Sequence, residues 1–408
     1  MRRDFWTFWS GQTVSNLGSS FTAFALPLLV YKLTGSALNL AITMAAYFVP
    51  YLLFGLVIGA FVDRVDRKRL MILADFGRAG ALATIPVLAA TDSLVVWWVY
   101  GVQFVVATMT IAFDSAEFAA IPSLVDREEL VTANGRIMAS YQGASVLGPL
   151  AAGAMVAVVP IETVLLVDAA SFLLSAAALA LVRASLNAEG EPERKHILRD
   201  VADGLRFVLG HPVLRNISVM MALINFAGIT TWTQLVLFAK DRLDASDSEV
   251  GILYSAGSLG IVALSLAAGR IRRRLRFSTA ALGALMLMGL LTVGFAAATE
   301  FWLAVPLWAS IAGLGLFFNI NTTSLRQEIT PPHMLGRVMS IAGVLAWSAN
   351  PLGALAGGWA IERTGNVALV YGGVGVLVFL IAFLFRFTAL GDAERYTAEP
   401  ATTAVEPA

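Results

Sequence analysis

The sequence contains no cysteine and few charged residues. Without cysteine, its 408 residues form no disulfide, thiolate metal site or cysteine nucleophile. Only 14% of the residues are charged, against roughly 25% in soluble domains. The 28 basic residues equal the 28 acidic ones, so no net charge points to a nucleic-acid partner. With 58% hydrophobic residues, the composition predicts a membrane protein that crosses the bilayer several times.

Long apolar runs occupy most of the chain. A helix needs about 20 mainly apolar residues to cross the hydrocarbon core. The sequence therefore predicts an all-α membrane protein with twelve transmembrane helices. We expect these spans near residues 8–30, 38–61, 70–90, 94–118, 137–159, 162–182, 213–239, 248–270, 277–298, 300–325, 336–360 and 367–390.

The basic residues fall mainly on one side of these spans. With the N-terminus in the cytoplasm, 23 of the 28 Lys and Arg residues lie in cytoplasmic segments and 4 on the opposite side. Because positively charged loops remain in the cytoplasm, both termini are expected there. We expect a multi-pass monomer in the lipid bilayer of the cell inner (plasma) membrane.

A polar stretch divides the spans six and six. It contains Leu198, Val201, Leu205 and Val208 at helical spacing, which predicts a short amphipathic helix on the inner membrane surface. The predicted domains are an N-terminal six-helix bundle, a cytoplasmic linker, a C-terminal six-helix bundle and a disordered cytoplasmic tail, at 1–182, 183–212, 213–390 and 391–408.

The two halves of the chain resemble each other. "GRIMAS" at 135–140 recurs as "GRVMS" at 336–340, and "FD" at 113–114 corresponds to "FN" at 318–319. Several matches in the same order, separated by about half the chain, indicate a duplicated unit. We therefore predict two pseudo-symmetric six-helix bundles.

The loop after the second span, "GAFVDRVDRKRL" at 59–70, has six charges in seven positions. Together with the duplicated six-span pattern, it resembles the major facilitator superfamily, whose loop signature is Gly-x-x-x-Asp-Arg-x-Gly-Arg-Arg/Lys. Asp66 stands where that signature has its second Gly. The resemblance implies a twelve-helix major facilitator fold with a cytoplasmic gate, in which a carboxylate faces a helix N-terminus. The residues implied are Gly59, Asp63, Arg64, Arg67 and Lys68, with Arg337 at the start of span 11.

Other stretches resemble the efflux branch that contains macrolide exporters and the enterobactin exporter. They include "AFDSAEFAAIPSLVDREELVTANG" and "LRQEITPPHMLGRVMSI". In span 5, Gly148, Pro149 and Gly153 match the antiporter motif Gly-x-x-x-Gly-Pro-x-x-Gly-Gly, and two of its glycines are alanine here. Pro351 lies in the corresponding segment of the second half. Small residues and a proline allow close helix packing and a bend, so a structural role is equally open.

Polar side chains form stripes along four of the predicted spans. In the resembled superfamily, spans 1, 4, 7 and 10 line the central cavity, which implies that these stripes contact the substrate. Hydrogen bonding within helices is the alternative for their Ser and Thr residues. The candidates are Gln12, Ser15, Asn16, Ser19 and Thr22 in span 1, Gln103 and Thr110 in span 4, Asn225 and Trp232 in span 7, and Trp308, Asn319 and Thr322 in span 10.

Ionisable residues inside the membrane are costly and indicate function. Asp75 and Arg78 lie one turn apart in span 3, so a structural ion pair is expected. Asp114, Glu117 and Asp168 are candidates for proton coupling. Asp114 is the first choice because it shares the span 4 stripe.

Three classes of function remain open. The leading hypothesis is a secondary active transporter that exports amphipathic small molecules of drug, macrolide or siderophore type by proton antiport. An importer or facilitator of a small polar solute is the alternative. A scaffold or intramembrane enzyme is remote, because the sequence shows no catalytic pair. The three dispersed His residues have no metal-ligand spacing, and no cofactor is expected.

Overall fold

A computed structural model describes residues 3–62, 65–187, 197–272, 274, 276–331 and 334–396, and this part of the chain contains no strand. Its helices in the first half are α1 Arg3–Thr34, α2 Ala37–Val62, α3 Arg67–Ala90, α4 Val96–Leu124, α5 Leu130–Met155 and α6 Ile161–Leu181. Those that follow are α7 Ile197–Gly210, α8 Pro212–Thr233, α9 Leu235–Leu243, α10 Asp247–Arg272, α11 Phe277–Ala297, α12 Phe301–Ile329, α13 Leu335–Trp347, α14 Ala349–Thr364 and α15 Val367–Phe385.

Ten helices in the described ranges are long and apolar enough to cross a membrane. They correspond to ten of the twelve predicted spans. The other two predicted spans are α5 and the consecutive pair α13 and α14, which meet at Ser348. The helices α4 and α12 lie half a chain apart and are both 29 residues long, as expected from the predicted duplication. The all-α membrane fold predicted from the sequence is confirmed.

The chain forms two compact units. The first contains the described residues within 1–193 and 233–255, and the second those within 194–232 and 256–408. Residues 233–255 are grouped with the first unit in this division, and the predicted C-terminal bundle at 213–390 stays a prediction. Three side chains explain this grouping, because each donates a hydrogen bond to a first-half carbonyl: Gln234 to Ala37 at 2.8 Å, Ser248 to Gly153 at 2.9 Å and Ser255 to Val146 at 2.8 Å.

Span 7 is interrupted at Gln234. The prediction was one helix over 213–239, but α8 ends at Thr233 and α9 begins at Leu235. The Gln234 side chain is fully buried, and its bond to the Ala37 carbonyl holds the interruption inside the first unit.

An ionic group joins the ends of three helices in the first unit. The Asp247 carboxylate at the start of α10 lies 2.5 Å from the ammonium groups of both Lys32 and Lys240. Lys32 belongs to the last turn of α1 and Lys240 to that of α9. Since cations stabilise helix C-termini and anions stabilise N-termini, all three charges suit their positions.

Close helix contacts organise both units around glycines. In the first unit, a Cβ on Gly18 of α1 would lie 2.2 Å from Ser171 Oγ of α6. In the second, a Cβ on Gly289 of α11 would lie 2.6 Å from the Gly375 carbonyl oxygen of α15. Such contacts require glycine, because a side chain at either position would clash with the facing helix. Close packing is important here because hydrocarbon supplies no hydrophobic force between helices.

The predicted amphipathic helix is present as α7, which ends at Gly210. Its Val208 is fully buried and packs with Leu214 and with Val338 and Ile341 of α13. His211 follows the helix, and burial lowers the pKa of its imidazole. The ring is therefore neutral at neutral pH, where it contacts the Tyr396 ring at 5.7 Å.

The start of the predicted disordered tail is ordered. Ala393–Tyr396 form a 3₁₀ helix, and the Glu394 carboxylate accepts hydrogen bonds from the Ser278 backbone N–H at 3.0 Å and hydroxyl at 3.1 Å. Leu390 and Ala393 are fully buried. Apolar burial and this bond to the start of α11 hold a segment whose polar composition indicated disorder. Residues 397–408 lie outside the described ranges.

Candidate functional site

The charged loop after α2 is tied to the first unit by its basic residues. The buried Arg67 guanidinium donates to the carbonyls of Ala119 at 3.0 Å and Leu186 at 3.3 Å. Lys68 donates to the carbonyls of Ala180 at 3.2 Å and Val182 at 2.7 Å, at the C-terminal end of α6. These two predicted gate residues therefore anchor the start of α3, where the Asp66 carboxylate caps the helix by accepting from the Arg69 N–H.

The remaining gate residues are only partly described. Asp63 and Arg64 lie outside the described residues, and the burial of Gly59 and the side chain of Arg337 are not described either. The predicted contact between this loop and the start of span 11 stays a prediction.

The span 5 motif packs tightly inside the first unit. A Cβ on Gly148 would lie 2.3 Å from Ser20 Cβ of α1. A Cβ on Gly153 would lie 3.2 Å from Gly251 Cα of α10, whose own Cβ would lie 2.5 Å from the Pro149 carbonyl oxygen. The motif lets α5 approach α1 and α10, which supports its structural interpretation. Pro351 is also buried, in the first turn of α14.

Asp75 and Arg78 form the ion pair expected from their spacing. The Arg78 guanidinium contacts Asp75 Oδ1, and both side chains are buried, with exposed fractions of 5% for Arg78 and 0% for Asp75. The guanidinium also lies 4.4 Å from the Phe113 ring centroid and 4.2 Å from that of Phe172. A cation between two aromatic faces gains quadrupole attraction that partly replaces its lost hydration.

Asp168 lies at the contact between α1 and α6. Its side chain is 1% exposed, and Oδ1 accepts a hydrogen bond from Ser171 Oγ at 3.0 Å. Gly18 of α1 faces it, since a Cβ there would lie 2.7 Å from Asp168 Oδ1. The carboxylate is therefore enclosed between two helices.

The span 1 stripe lies mostly inside the first unit. Gln12, Ser15 and Thr22 are buried, and Gln12 Nε2 donates to Ser175 Oγ of α6 at 2.9 Å. These three side chains lie inside the packed unit, and the prediction that they line the substrate cavity stays a prediction. Asn16 and Ser19 are half-buried.

Asp114 has an exposed carboxylate on span 4. It is exposed, whereas Glu117, Gln103 and Thr110 are half-buried. The sequence placed Asp114 near the cytoplasmic end of a span over 94–118, but α4 continues to Leu124. About 15 Å of helix therefore follows Asp114.

In the second unit, the predicted cavity residues make structural contacts. Trp308 is fully buried, with its ring centroid 4.8 Å from that of Trp232 and 5.5 Å from that of Phe295. Its indole N–H has no hydrogen-bond partner among the described residues. Asn225 Nδ2 donates to the Ala346 carbonyl at 2.8 Å, which joins α8 to α13.

The remaining span 10 residues differ in exposure. Asn319 is exposed, but Thr322 is buried and its hydroxyl donates within α12, to the carbonyls of Phe318 and Asn319. Thr322 therefore agrees with the alternative interpretation, in which polar side chains form hydrogen bonds within their own helix. Of the two residues, only Asn319 has an exposed side chain.

Several residues around these charges were not identified from the sequence. Ser171 and Ser175 of α6 bind Asp168 and Gln12, and Phe113 and Phe172 enclose Arg78. The spacing of Asp168, Ser171 and Ser175 along one face of span 6 is a signal that could have found the serines. In the described part of the chain, no group of three or more His, Asp or Glu residues is placed to hold a metal ion.

Comparison with known proteins gives one family model and several relatives that match most of the chain. The family model described as Major Facilitator Superfamily matches residues 8–351 and 230–406. Macrolide efflux protein A of Streptococcus pyogenes is 28% identical over 369 residues, which cover 88% of this chain and 90% of the relative. Multidrug efflux pump Tap of Mycolicibacterium fortuitum is 29% identical over 371 residues, with coverage of 85% and 87%.

Solved structures share the fold at low identity. A bacterial homologue of the iron transporter ferroportin in an inward-facing state is 16% identical, with a TM-score of 0.73 and coverage of 97% of this chain and 99% of that one. A point mutant of the nucleoside transporter NupG is 12% identical, with a TM-score of 0.79 and coverage of 94% and 99%.

Proposed function

The chain belongs to the Major Facilitator Superfamily, and on that premise we propose that it exports amphipathic small molecules by proton antiport. It is a multi-pass membrane transporter and not an enzyme. The proposed substrates are of drug, macrolide or siderophore type, because relatives that match most of the chain are named as macrolide and multidrug efflux proteins. The proposed site of action is the plasma membrane, where a monomer alternates access with both termini in the cytoplasm.

The exposed Asp114 carboxylate carries the proposal of coupling. It lies on an apolar helix, with about 15 Å of helix beyond it. A carboxylate does not face hydrocarbon unless it is neutralised or hydrated, so this surface of α4 borders water and Asp114 can exchange protons with it. Asp168 is the alternative carrier, but it is enclosed between α1 and α6.

Export is tested first in an efflux-deficient bacterial host. Expression of the chain should raise resistance to at least one amphipathic drug in a panel that includes erythromycin and chloramphenicol. Unchanged sensitivity across the panel, with the protein present in the membrane, would contradict drug export.

Coupling is tested in inverted membrane vesicles, where export appears as uptake. Asp114→Asn should abolish erythromycin uptake driven by a pH gradient and retain downhill counterflow, because the amide does not bind the coupled proton. Asp168→Asn is the matched control and should retain most of the uphill uptake. The opposite pattern would assign the proton to Asp168, and full activity in both variants would exclude this route.

A further inference from the structure

A pocket of about 460 Å³ lies where α7 ends and α8 begins, in the second unit. We call it the α7–α8 pocket. A guanidinium, an imidazole, apolar side chains and one glycine line it: Arg206, Phe207, Gly210, His211, Pro212 and Met334. Because α8 starts at Pro212 and is long and apolar enough to cross a membrane, the pocket lies where this helix would enter the bilayer.

The two polar side chains of the α7–α8 pocket both offer hydrogen-bond donors. The Leu214 backbone N–H donates to His211 Nδ1 at 3.5 Å. A neutral imidazole carries its single hydrogen on the other nitrogen, so His211 Nε2–H is a donor. Arg206 is exposed, as is Arg215 one turn beyond His211, and no carboxylate in the described ranges forms an ion pair with either. Unpaired guanidinium groups beside an N–H donor suit the oxygens of a phosphate.

Apolar side chains are exposed on α7 beside the pocket. Leu205 and Leu209 are 37% and 46% exposed, and their spacing of four residues places them on one face of the helix. Val208 lies on another face and packs against α13. Exposed leucines next to a basic residue are typical of helices that lie at a membrane surface, where the apolar face contacts acyl chains. This face of α7 therefore suits a lipid.

We propose that the α7–α8 pocket binds the headgroup of an anionic phospholipid from the leaflet on the predicted cytoplasmic side. The phosphate lies between the Arg206 guanidinium and His211 Nε2, and the acyl chains follow Leu205 and Leu209. Basic pockets at the cytoplasmic ends of membrane helices suit anionic headgroups. The exposed leucines favour a lipid over a soluble phosphate, because a soluble anion needs no apolar surface. The proposal does not depend on which molecule is exported.

The test counts bound lipid by native mass spectrometry on the purified full chain in an uncharged detergent. Two lipid probes have the same acyl chains and differ in the charge of the headgroup. Dioleoylphosphatidylglycerol is anionic, whereas dioleoylphosphatidylcholine has no net charge. Wild-type protein should bind the anionic probe about tenfold more tightly than the uncharged one. Equal affinity for both probes would refute the proposal.

The charge of the pocket and its space can be removed separately. Arg206→Gln should weaken binding of the anionic probe about fivefold and change that of the uncharged probe less than about twofold, because one basic residue near anionic lipid contributes about that factor. Gly210→Phe should weaken it about tenfold by filling the pocket. A Cβ at Gly210 meets nothing within 4 Å, so the backbone accepts a side chain there.

Two matched variants serve as controls, and both should bind the anionic probe like wild type. Gly210→Ala adds a side chain too small to fill the pocket. Arg274→Gln removes the charge of another exposed arginine of the second unit. If Gly210→Phe does not fold, the comparison of Arg206→Gln with Arg274→Gln decides the result, since each removes one exposed charge.

Each contrary result has a defined meaning. Equal losses in Arg206→Gln and Arg274→Gln would show that surface charge alone attracts the lipid, and would refute the pocket. Unchanged binding in a folded Gly210→Phe variant would show that the headgroup lies elsewhere. Displacement of the anionic probe by millimolar inorganic phosphate would assign the pocket to a soluble anion and not to a lipid.

Discussion

Arg78 shows how a single residue determines what surrounds it. A guanidinium removed from water costs several kcal/mol unless it is paired. Here Asp75 supplies the charge and the rings of Phe113 and Phe172 cover the guanidinium. Asp75 Oδ2 and Arg78 Nε have no hydrogen-bond partner within the described structure, so the ionic contact through Asp75 Oδ1 supplies the counter-charge of the guanidinium.

Removing one member of this pair should destabilise the protein. Asp75→Asn leaves the buried guanidinium without its counter-charge, which costs about 3–5 kcal/mol for buried pairs. The apparent thermal midpoint of the purified protein in detergent should fall clearly below that of wild type. The double variant Asp75→Asn/Arg78→Gln removes both charges and should recover part of the loss. A double variant whose loss equals the sum of the two single losses would show that the residues act independently.

The sequence predicts this pair but not its surroundings. A spacing of three residues along a helix places two side chains on the same face, so the contact of Asp75 with Arg78 follows directly. Phe113 and Phe172 come from α4 and α6, and only the packing of three helices brings them to the guanidinium. The burial of Gln12 also depends on helix packing. The polar stripe of span 1 shows which side chains share one face of the helix, but not which neighbouring helix covers that face.

At the scale of elements, the contact between α1 and α6 depends on Gly18. Ser171 and Asp168 occupy the space that a side chain at this position would need. The contact therefore fixes both the separation of the two helices and the enclosure of the Asp168 carboxylate.

Gly18→Ala should separate these helices, and Gly80→Ala provides its control. The added Cβ at Gly18 would lie 2.2 Å from Ser171 Oγ, whereas nothing lies within 4 Å of one at Gly80. We expect Gly18→Ala to lower the thermal midpoint and Gly80→Ala to leave it unchanged or raise it, because alanine is favoured over glycine in helices by about 1 kcal/mol. Equal midpoints for the two variants would contradict the close contact.

Helix positions were largely predictable, but their interruptions were not. Apolar runs located the spans because bilayer thickness sets a minimum length. The length of an apolar run does not reveal the helix breaks at Gln234 and Ser348, since apolar residues continue on both sides of each break. The grouping of residues 233–255 with residues of the first half could not be read from the sequence for a similar reason. It depends on hydrogen bonds to residues more than 90 positions away in sequence.

At the scale of the whole molecule, the distribution of Lys and Arg predicts which ends face the cytoplasm. The chain has no native cysteine, so a single introduced cysteine reports directly on which side of the membrane its position faces. Arg67 is unsuitable for replacement because it is buried and bonded, whereas Arg69, Arg274 and Arg242 are exposed.

Arg69→Cys and Arg274→Cys should react with an impermeant maleimide only from the cytoplasmic side, and Arg242→Cys only from outside. The measurement compares intact cells with inverted vesicles, each calibrated by the total labelling after solubilisation. Labelling of position 69 in intact cells would reverse the predicted orientation.

The packed part of the second unit extends to Tyr396, and this determines where other proteins can be fused to the chain. A fluorescent protein or affinity tag joined at residue 388 would delete the buried Leu390 and Ala393 and the Glu394 carboxylate that binds Ser278. The start of α11 would then lose an acceptor for its first N–H groups. A fusion joined after Tyr396 preserves these contacts, so it is the form in which drug resistance and probe binding are best compared between variants.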